Sequence, residues 1–313
     1  MKRILSATLL LLFLVLPLYA QISNLKEGNL QGKVKSVKLN HRKVMVLGDS
    51  IWSESAADND PFWFNGYIDT YFVFDREGRT SEYHTYFDAD ADDNKTLNIY
   101  NEEGLLKEQR FSADGRKNGS MKYKYDGKGR ITEVVRYDAK GEETDRISHI
   151  REPHRRIPKG RGHNNIWVYN YDENDRCIEE KCLLPNGRIS FRNIFFYDEE
   201  GRQTTSVFFD KDNIQNVTTS FDYDPQGRIK SIIKISPTKK LVTRYKYDEF
   251  NNIIYTRTRE VDVPSERGKD EKEDRSSESS FVYQYDETGN WIQKIVYNNG
   301  VPEYIQEREI TYY

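Results

Sequence analysis

The chain has 313 residues, a formal net charge of −3 and a mean hydropathy of −0.87. Hydrophobic residues make up 36% and charged residues 32%, against about 45–50% apolar in an ordinary globular domain. The balance leaves no global basic footprint for nucleic acid, and 22 Tyr, 15 Phe and 4 Trp argue against disorder. So many aromatics with so few aliphatics predict a thin structure that buries one face per element and repeats it.

Lys2 and Arg3 precede an apolar run from Ile4 to Leu16, Pro17 ends it, and Leu18, Tyr19 and Ala20 place a small residue at a cleavage site. The pattern predicts a signal peptide over 1–20 and an exported product that is periplasmic, cell-surface or secreted. No later apolar run approaches the roughly 18 residues a membrane helix needs, so the cleaved chain is not expected to span a bilayer.

Residues 21–70 read as an N-terminal strand and an irregular loop region. Within it, Lys43 to Leu47 runs into Gly48, Asp49 and Ser50. This resembles the first block of GDSL-type esterases, in which that Ser is the nucleophile. Such a Ser needs a His base held by an acid. None of His41, His84, His149, His154 and His163 has the family's Asp three residues before it. The simpler reading is a strand ending in a Gly-Asp-Ser turn. Trp52 and Trp63 lie outside any repeat, in segment 47–66, and are candidates for an exposed contact.

From residue 71 to 313 one phrase keeps returning. Its clearest copy is Tyr123, Tyr125, Asp126, Gly129 and Arg130. Aligning the second aromatic places copies at 74, 100, 125, 171, 197, 223, 247 and 285. The period is 24 to 26 residues, the step of 46 hides a degenerate copy, and half-repeats sit near 137, 184, 209, 235 and 297. A fixed period of this size means an array of one supersecondary unit. Aromatics two apart share a strand face. Asp starts a turn by accepting backbone amides, and Gly three residues later supplies a positive φ. Each repeat is therefore a β-hairpin whose tyrosines pack across strands.

The Tyr-Asp pair followed by Gly-Arg or Gly-Asn resembles the YD-repeat (Rhs-type) family, and small exported Bacteroidetes-type members in particular. The resemblance covers roughly residues 71–313. It implies hairpin arrays and is silent as to activity. Large members wind into a shell around a toxin; here the repeats are too few, so toxin delivery is not implied. About eighteen strands at ~20° of twist each accumulate roughly one turn. The expected fold is all-β, an elongated, coiled antiparallel β-meander with an aromatic-rich inner face.

Four local features interrupt the array. Asp88, Asp90 and Asp92 resemble a calcium loop, but the EF-hand pattern wants Gly and Glu where Asp93 and Ile99 stand; an acidic hairpin tip is the plainer reading. A basic insert at 146–163 holds Arg146, Arg151, Arg155, Arg156, Lys159 and Arg161. Cys177 and Cys182 lie five apart in one strand, about 16 Å, which forbids a disulfide. Residues 260–280 are charged and Ser-rich, and read as a flexible insert.

No cofactor and no metal site is expected. The reading is an exported, non-enzymatic repeat protein that presents a surface to a glycan or protein of the cell envelope. Trp52, Trp63, Arg151, Arg155 and Arg156 are its contact residues. The alternatives are a GDSL-like esterase using Ser50 and a purely structural envelope module.

Overall fold

A computed structural model describes residues 24–47, 50–55, 69–86, 94–150, 163–263 and 274–313. Signal segment 1–20, Trp63, the three aspartates at 88, 90 and 92, and the arginines at 151, 155 and 156 lie outside those residues.

The described chain forms β1 (Val34–Leu47), β2 (Ser50–Ser55), β3 (Asp69–Phe74), β4 (Thr80–Tyr86), β5 (Asn94–Tyr100), β6 (Leu106–Ala113) and β7 (Arg116–Tyr125). It continues through β8 (Ile131–Tyr137), β9 (Glu143–Ile150), β10 (His163–Tyr171), β11 (Cys177–Leu183), β12 (Ile189–Tyr197) and β13 (Gln203–Phe209). The last seven are β14 (Gln215–Tyr223), β15 (Ile229–Ile235), β16 (Lys239–Tyr247), β17 (Ile253–Asp262), β18 (Asp274–Tyr285), β19 (Trp291–Asn298) and β20 (Val301–Tyr312).

Consecutive strands pair from β3 to β20. β1 then closes the ring, pairing with β20 on one side and with β3 on the other. The result is a closed 19-strand barrel, with β2 added as a hairpin arm on the far half of β1. The expected elongated, coiled meander of hairpin repeats is overturned. The hairpins are present, but their accumulated twist brings the two edges together. An open edge would leave a row of unpaired amides and carbonyls, and closure removes it.

A ring of 19 strands has a parity constraint. Each antiparallel pairing reverses direction, and direction must be restored after one circuit, so an odd ring needs a parallel pair. It occurs between β9 and β10, with Ser148 beside Ile166 and His149 beside Trp167. This is where the repeat count skips a copy. Because β9 and β10 run the same way, every Tyr-Asp turn falls at one end of the barrel. The half-repeat turns, such as Asp138–Glu142 and Asp210–Ile214, fall at the other.

Exposure alternates along the strands. Tyr123 and Tyr125 are half-buried beside exposed Lys122 and Lys124, and Tyr245 lies between exposed Arg244 and Lys246. A closed sheet crowds side chains on its concave side and spreads them on its convex side, so the aromatic face is the inner wall. Burial there pushes the Tyr123 phenol up to about 12.

The closure joint holds the main apolar cluster: Leu30, Val34, Val37, Phe72 and Phe74, with Leu25, Tyr83 and Ile310 packed against it. Segment 24–33 crosses the Tyr-Asp end. It donates Leu25 N–H to the Gly78 carbonyl and Asn29 Nδ2 to the Phe250 carbonyl at 2.9 Å. A smaller cluster of Ile166, Leu183 and Val168 lies on the outer face beside the parallel seam.

Two inserts are shorter than expected. Arg146 to Ile150 belongs to β9 and His163 to β10. Residues 260–262 continue β17, and 274–280 open β18.

Cys177 and Cys182 stand at opposite ends of β11, both as free thiols, and burial pushes the Cys182 thiol up. Labelling of unreduced, denatured protein should find two thiols per chain, with Cys177 the faster in the native state. Finding none would place the pair in a disulfide and unmake β11.

Candidate functional site

The repeat turn explains which tyrosines are committed to structure. In Asp224 to Arg228, Asp224 Oδ1 accepts the Gln226 and Arg228 backbone N–H groups at 3.0 and 2.9 Å, and Oδ2 accepts Arg228 Nε at 2.7 Å. The Arg228 guanidinium lies 4.7 Å over the Tyr247 ring of the next repeat. Tyr247 in turn donates its hydroxyl to the Ile229 carbonyl at 2.8 Å. The same latch joins Tyr100 to Thr80, Tyr125 to Leu106, Tyr197 to Cys177 and Tyr223 to Gln203.

At Asp248 and Asp286 the fifth turn residue is Asn, and the wiring changes. The shorter side chain leaves the carboxylate open, so Tyr285 and Tyr312 donate their hydroxyls to Oδ2 of Asp248 and Asp286. The freed amides hold segment 24–33: Asn252 Oδ1 accepts Asn29 Nδ2, and Asn290 bonds both the N–H and the carbonyl of Gln31. Tyr313 completes the ring by donating to the Phe74 carbonyl at 2.6 Å.

Other inner-wall side chains carry no latch. Over β10 to β16 the register aligns Trp167 with Cys182 and Phe191, Phe195 with Ser206 and Thr219, Asn193 with Phe208, and Phe221 with Ile232 and Thr243. Phe191 and Phe208 lie 5.8 Å apart, and Trp167 meets Phe191 edge-on at 5.4 Å. Asn193 Nδ2 donates to Glu180 Oε1 at 2.7 Å, and the Thr243 and Thr258 hydroxyls are 3.0 Å apart. Phe191, Phe195, Phe208 and Phe221 are half-buried. Rings alternate with amides and hydroxyls on one concave wall, a combination that can stack a flat apolar ligand face and hydrogen-bond its rim.

A second polar cluster lies on the β1, β19 and β20 wall. His41 Nδ1 is 3.3 Å from Asp69 Oδ1, and its Nε2 is 2.6 Å from Gln306 Nε2. Asp69 therefore receives the Nδ1 proton, and Nε2 accepts from the Gln306 amide. Gln306 is wholly buried, and Arg308 stacks 3.6 Å over Trp291. This cluster is covered, unlike the wall of β12 to β16.

Trp52 belongs to β2, opposite Met45 of β1, and Ser50 opens the same strand opposite Leu47. Arg146, which among the insert's six basic residues is the one described, is ion-paired with Glu133 and Glu143. Of the five candidate contact residues, Trp52 lies among the described residues, and Trp63, Arg151, Arg155 and Arg156 lie outside them. The sequence signal for the inner-wall phenylalanines is a period-two run such as Phe191, Asn193 and Phe195 along β12, a pattern that strand packing alone also produces.

No protein-family profile and no curated protein matches the chain. A porin-like protein from Bacteroides uniformis ATCC 8492 is 9% identical over 90% of this chain and 98% of that chain, with a TM-score of 0.38. A porin-like protein from Bacteroides vulgatus ATCC 8482 is 10% identical over 90% and 99%, with a TM-score of 0.27. TcdB2-TccC3-TEV is 16% identical over 76% of this chain, with a TM-score of 0.33; this chain spans 12% of its length. At these values none of the three assigns a family, an activity or a partner.

Proposed function

We propose that the protein is an exported binding barrel whose inner wall takes a neutral glycan of the cell envelope. The observation that carries this reading is the run of half-buried Phe191, Phe195, Phe208 and Phe221 interleaved with Asn193, Ser206, Thr219 and Thr243 on one concave face. Sugar rings offer an apolar face to stack and hydroxyls to bond, and aromatic anchors carry most of the energy in such contacts. The repeat tyrosines serve the barrel itself.

The same register favours a barrel standing in water over one in lipid. A membrane barrel needs an apolar outward band, and an Arg or Lys at its midplane costs about 2–4 kcal/mol. Arg244, Arg257 and Glu278 occupy mid-strand positions on the outer face of β16 to β18, while Lys234 lies on the inner face of β15.

Titration calorimetry against neutral oligosaccharides tests the reading. The Phe208→Leu, Phe221→Leu double variant keeps apolar volume and loses the ring faces, so affinity should fall tenfold or more with the melting temperature little changed. Equal affinity in that variant, or no binding by the native protein, would sink the proposal.

A further inference from the structure

The outer face of β16 and β17 gathers a basic stripe from residues the sequence keeps apart. Arg244 stands directly opposite Arg257 in the antiparallel pair, Lys246 opposite Tyr255, Val242 opposite Arg259 and Lys240 opposite Val261. By strand alternation Lys240, Arg244, Lys246, Arg257 and Arg259 all share that face, and all five are exposed. From Lys240 to Lys246 the stripe runs about 20 Å along the strand.

Like charges directly opposite across two strands destabilise a sheet, and this chain places two guanidiniums there. The described acids on this face include Glu278 of β18, whose Oε1 lies 3.3 Å from Arg257 Nε, Asp274 of β18 opposite Val261, and Asp222 of β14, which is ion-paired with Lys230 at 3.6 Å. Arg244 forms no ion pair among the described residues. Lys246 is directed over the Tyr255 ring at 5.1 Å. The stripe is thus cationic in a chain whose net charge is −3.

At its Tyr-Asp end the stripe reaches a groove of ≈ 650 Å³ at the barrel rim, lined by Lys230, Lys246, Arg202, Tyr245 and the Asp224–Arg228 ion pair, among others. We infer that the stripe and this groove form a second binding surface, for an acidic polysaccharide bearing carboxylate or sulfate groups. Two features select that occupant. The cations follow a straight line along the strands while the barrel curves away across them, which fits an extended chain better than a flat membrane. The exposed guanidiniums of Arg244 and Arg257 stand side by side midway along the line, and arginine forks match planar carboxylates and sulfates.

The test uses the full protein and three probes: polygalacturonate, uncharged dextran, and phosphatidylglycerol–phosphatidylcholine vesicles. Polygalacturonate should bind at low salt and weaken steeply towards 0.5 M, where the Debye length falls to about 4 Å. The Lys240→Gln, Arg244→Gln, Lys246→Gln variant should bind it at least tenfold more weakly. Its melting temperature should be equal or higher, because the opposed charges are relieved. Arg244→Lys, which keeps the charge and loses the fork, should weaken binding, though less than the triple variant does. The Phe208→Leu, Phe221→Leu variant should bind polygalacturonate normally, which separates this surface from the inner wall. The inference fails if the native protein ignores polygalacturonate, if the triple variant binds as the native protein does, or if the inner-wall variant abolishes binding. Stripe-dependent binding to vesicles tighter than to polygalacturonate would overturn it in favour of a lipid surface.

Discussion

Phe74→Ala should lower the unfolding free energy by about 3–5 kcal/mol, the range for emptying a buried aromatic site. Phe74 is 1% exposed and packs with Phe72 at 6.5 Å between centroids. Its neighbour Val37 is held from both sides, opposite Phe72 of β3 and opposite Ile310 of β20. The cavity would therefore open at the joint that makes the sheet a ring, and the Phe74 carbonyl would lose its fixed position under the Tyr313 hydroxyl. Chemical denaturation measures the loss. Hydrogen exchange should quicken at β1 and β20 before β13 or β14. A loss under about 1 kcal/mol would mean that the ring does not depend on this cluster.

The second large effect is acid instability. Asp126 is held at about 2, first by the Arg130 backbone N–H and then by the Arg130 side chain and Lys128 N–H, against burial that would raise it. For Asp172, Asp198 and Asp224 burial alone would raise the carboxyl, but backbone and arginine hydrogen bonds prevail and hold each below its ordinary value. Asp210 is lowered first by the Ile214 backbone N–H and then by Asn216. Each folded value lies below the unfolded one, so each turn contributes stability above the usual carboxylate pKa of about 4 and loses it as pH falls through the folded value. Urea midpoints should be flat from pH 6 to 5 and fall steeply from pH 4 to 2, with Asp126 last to protonate. Asp126→Asn should lower the midpoint at neutral pH and flatten the acid limb. Equal midpoints at pH 5 and pH 2.5 would refute the role given to the turns.

The hairpins were legible because each turn announces itself: Asp to accept amides, Gly to take a φ near +80° as at Gly201 and Gly227. Closure was not. Whether a twisted sheet coils past its own edge or meets it depends on the sum of many small angles and on one joint, where Leu30, Val34 and Val37 supply apolar surface that lies outside the repeat. The skipped copy at step 46 was visible as a gap, but its meaning, a parallel seam, follows from the parity of a ring that had first to be known closed. The exchange of Arg for Asn at positions 252 and 290 was on the page as sequence variation; its use as a clasp for Gln31 and Asn29 needs the fold. The basic stripe was hidden more deeply. Arg244 and Arg257 are 13 residues apart, and only the register sets them face to face.

One parallel pair satisfies the direction rule for any odd number of strands, so it tolerates change in steps of two. Duplicating or deleting a whole repeat of 24 to 26 residues adds or removes one hairpin and leaves the β9–β10 seam and the β20–β1–β3 joint as they are. Diameter grows roughly linearly with strand number. The bore of this barrel is therefore a quantity that gene duplication can tune stepwise, whereas gain or loss of a single strand would throw every later turn to the opposite mouth.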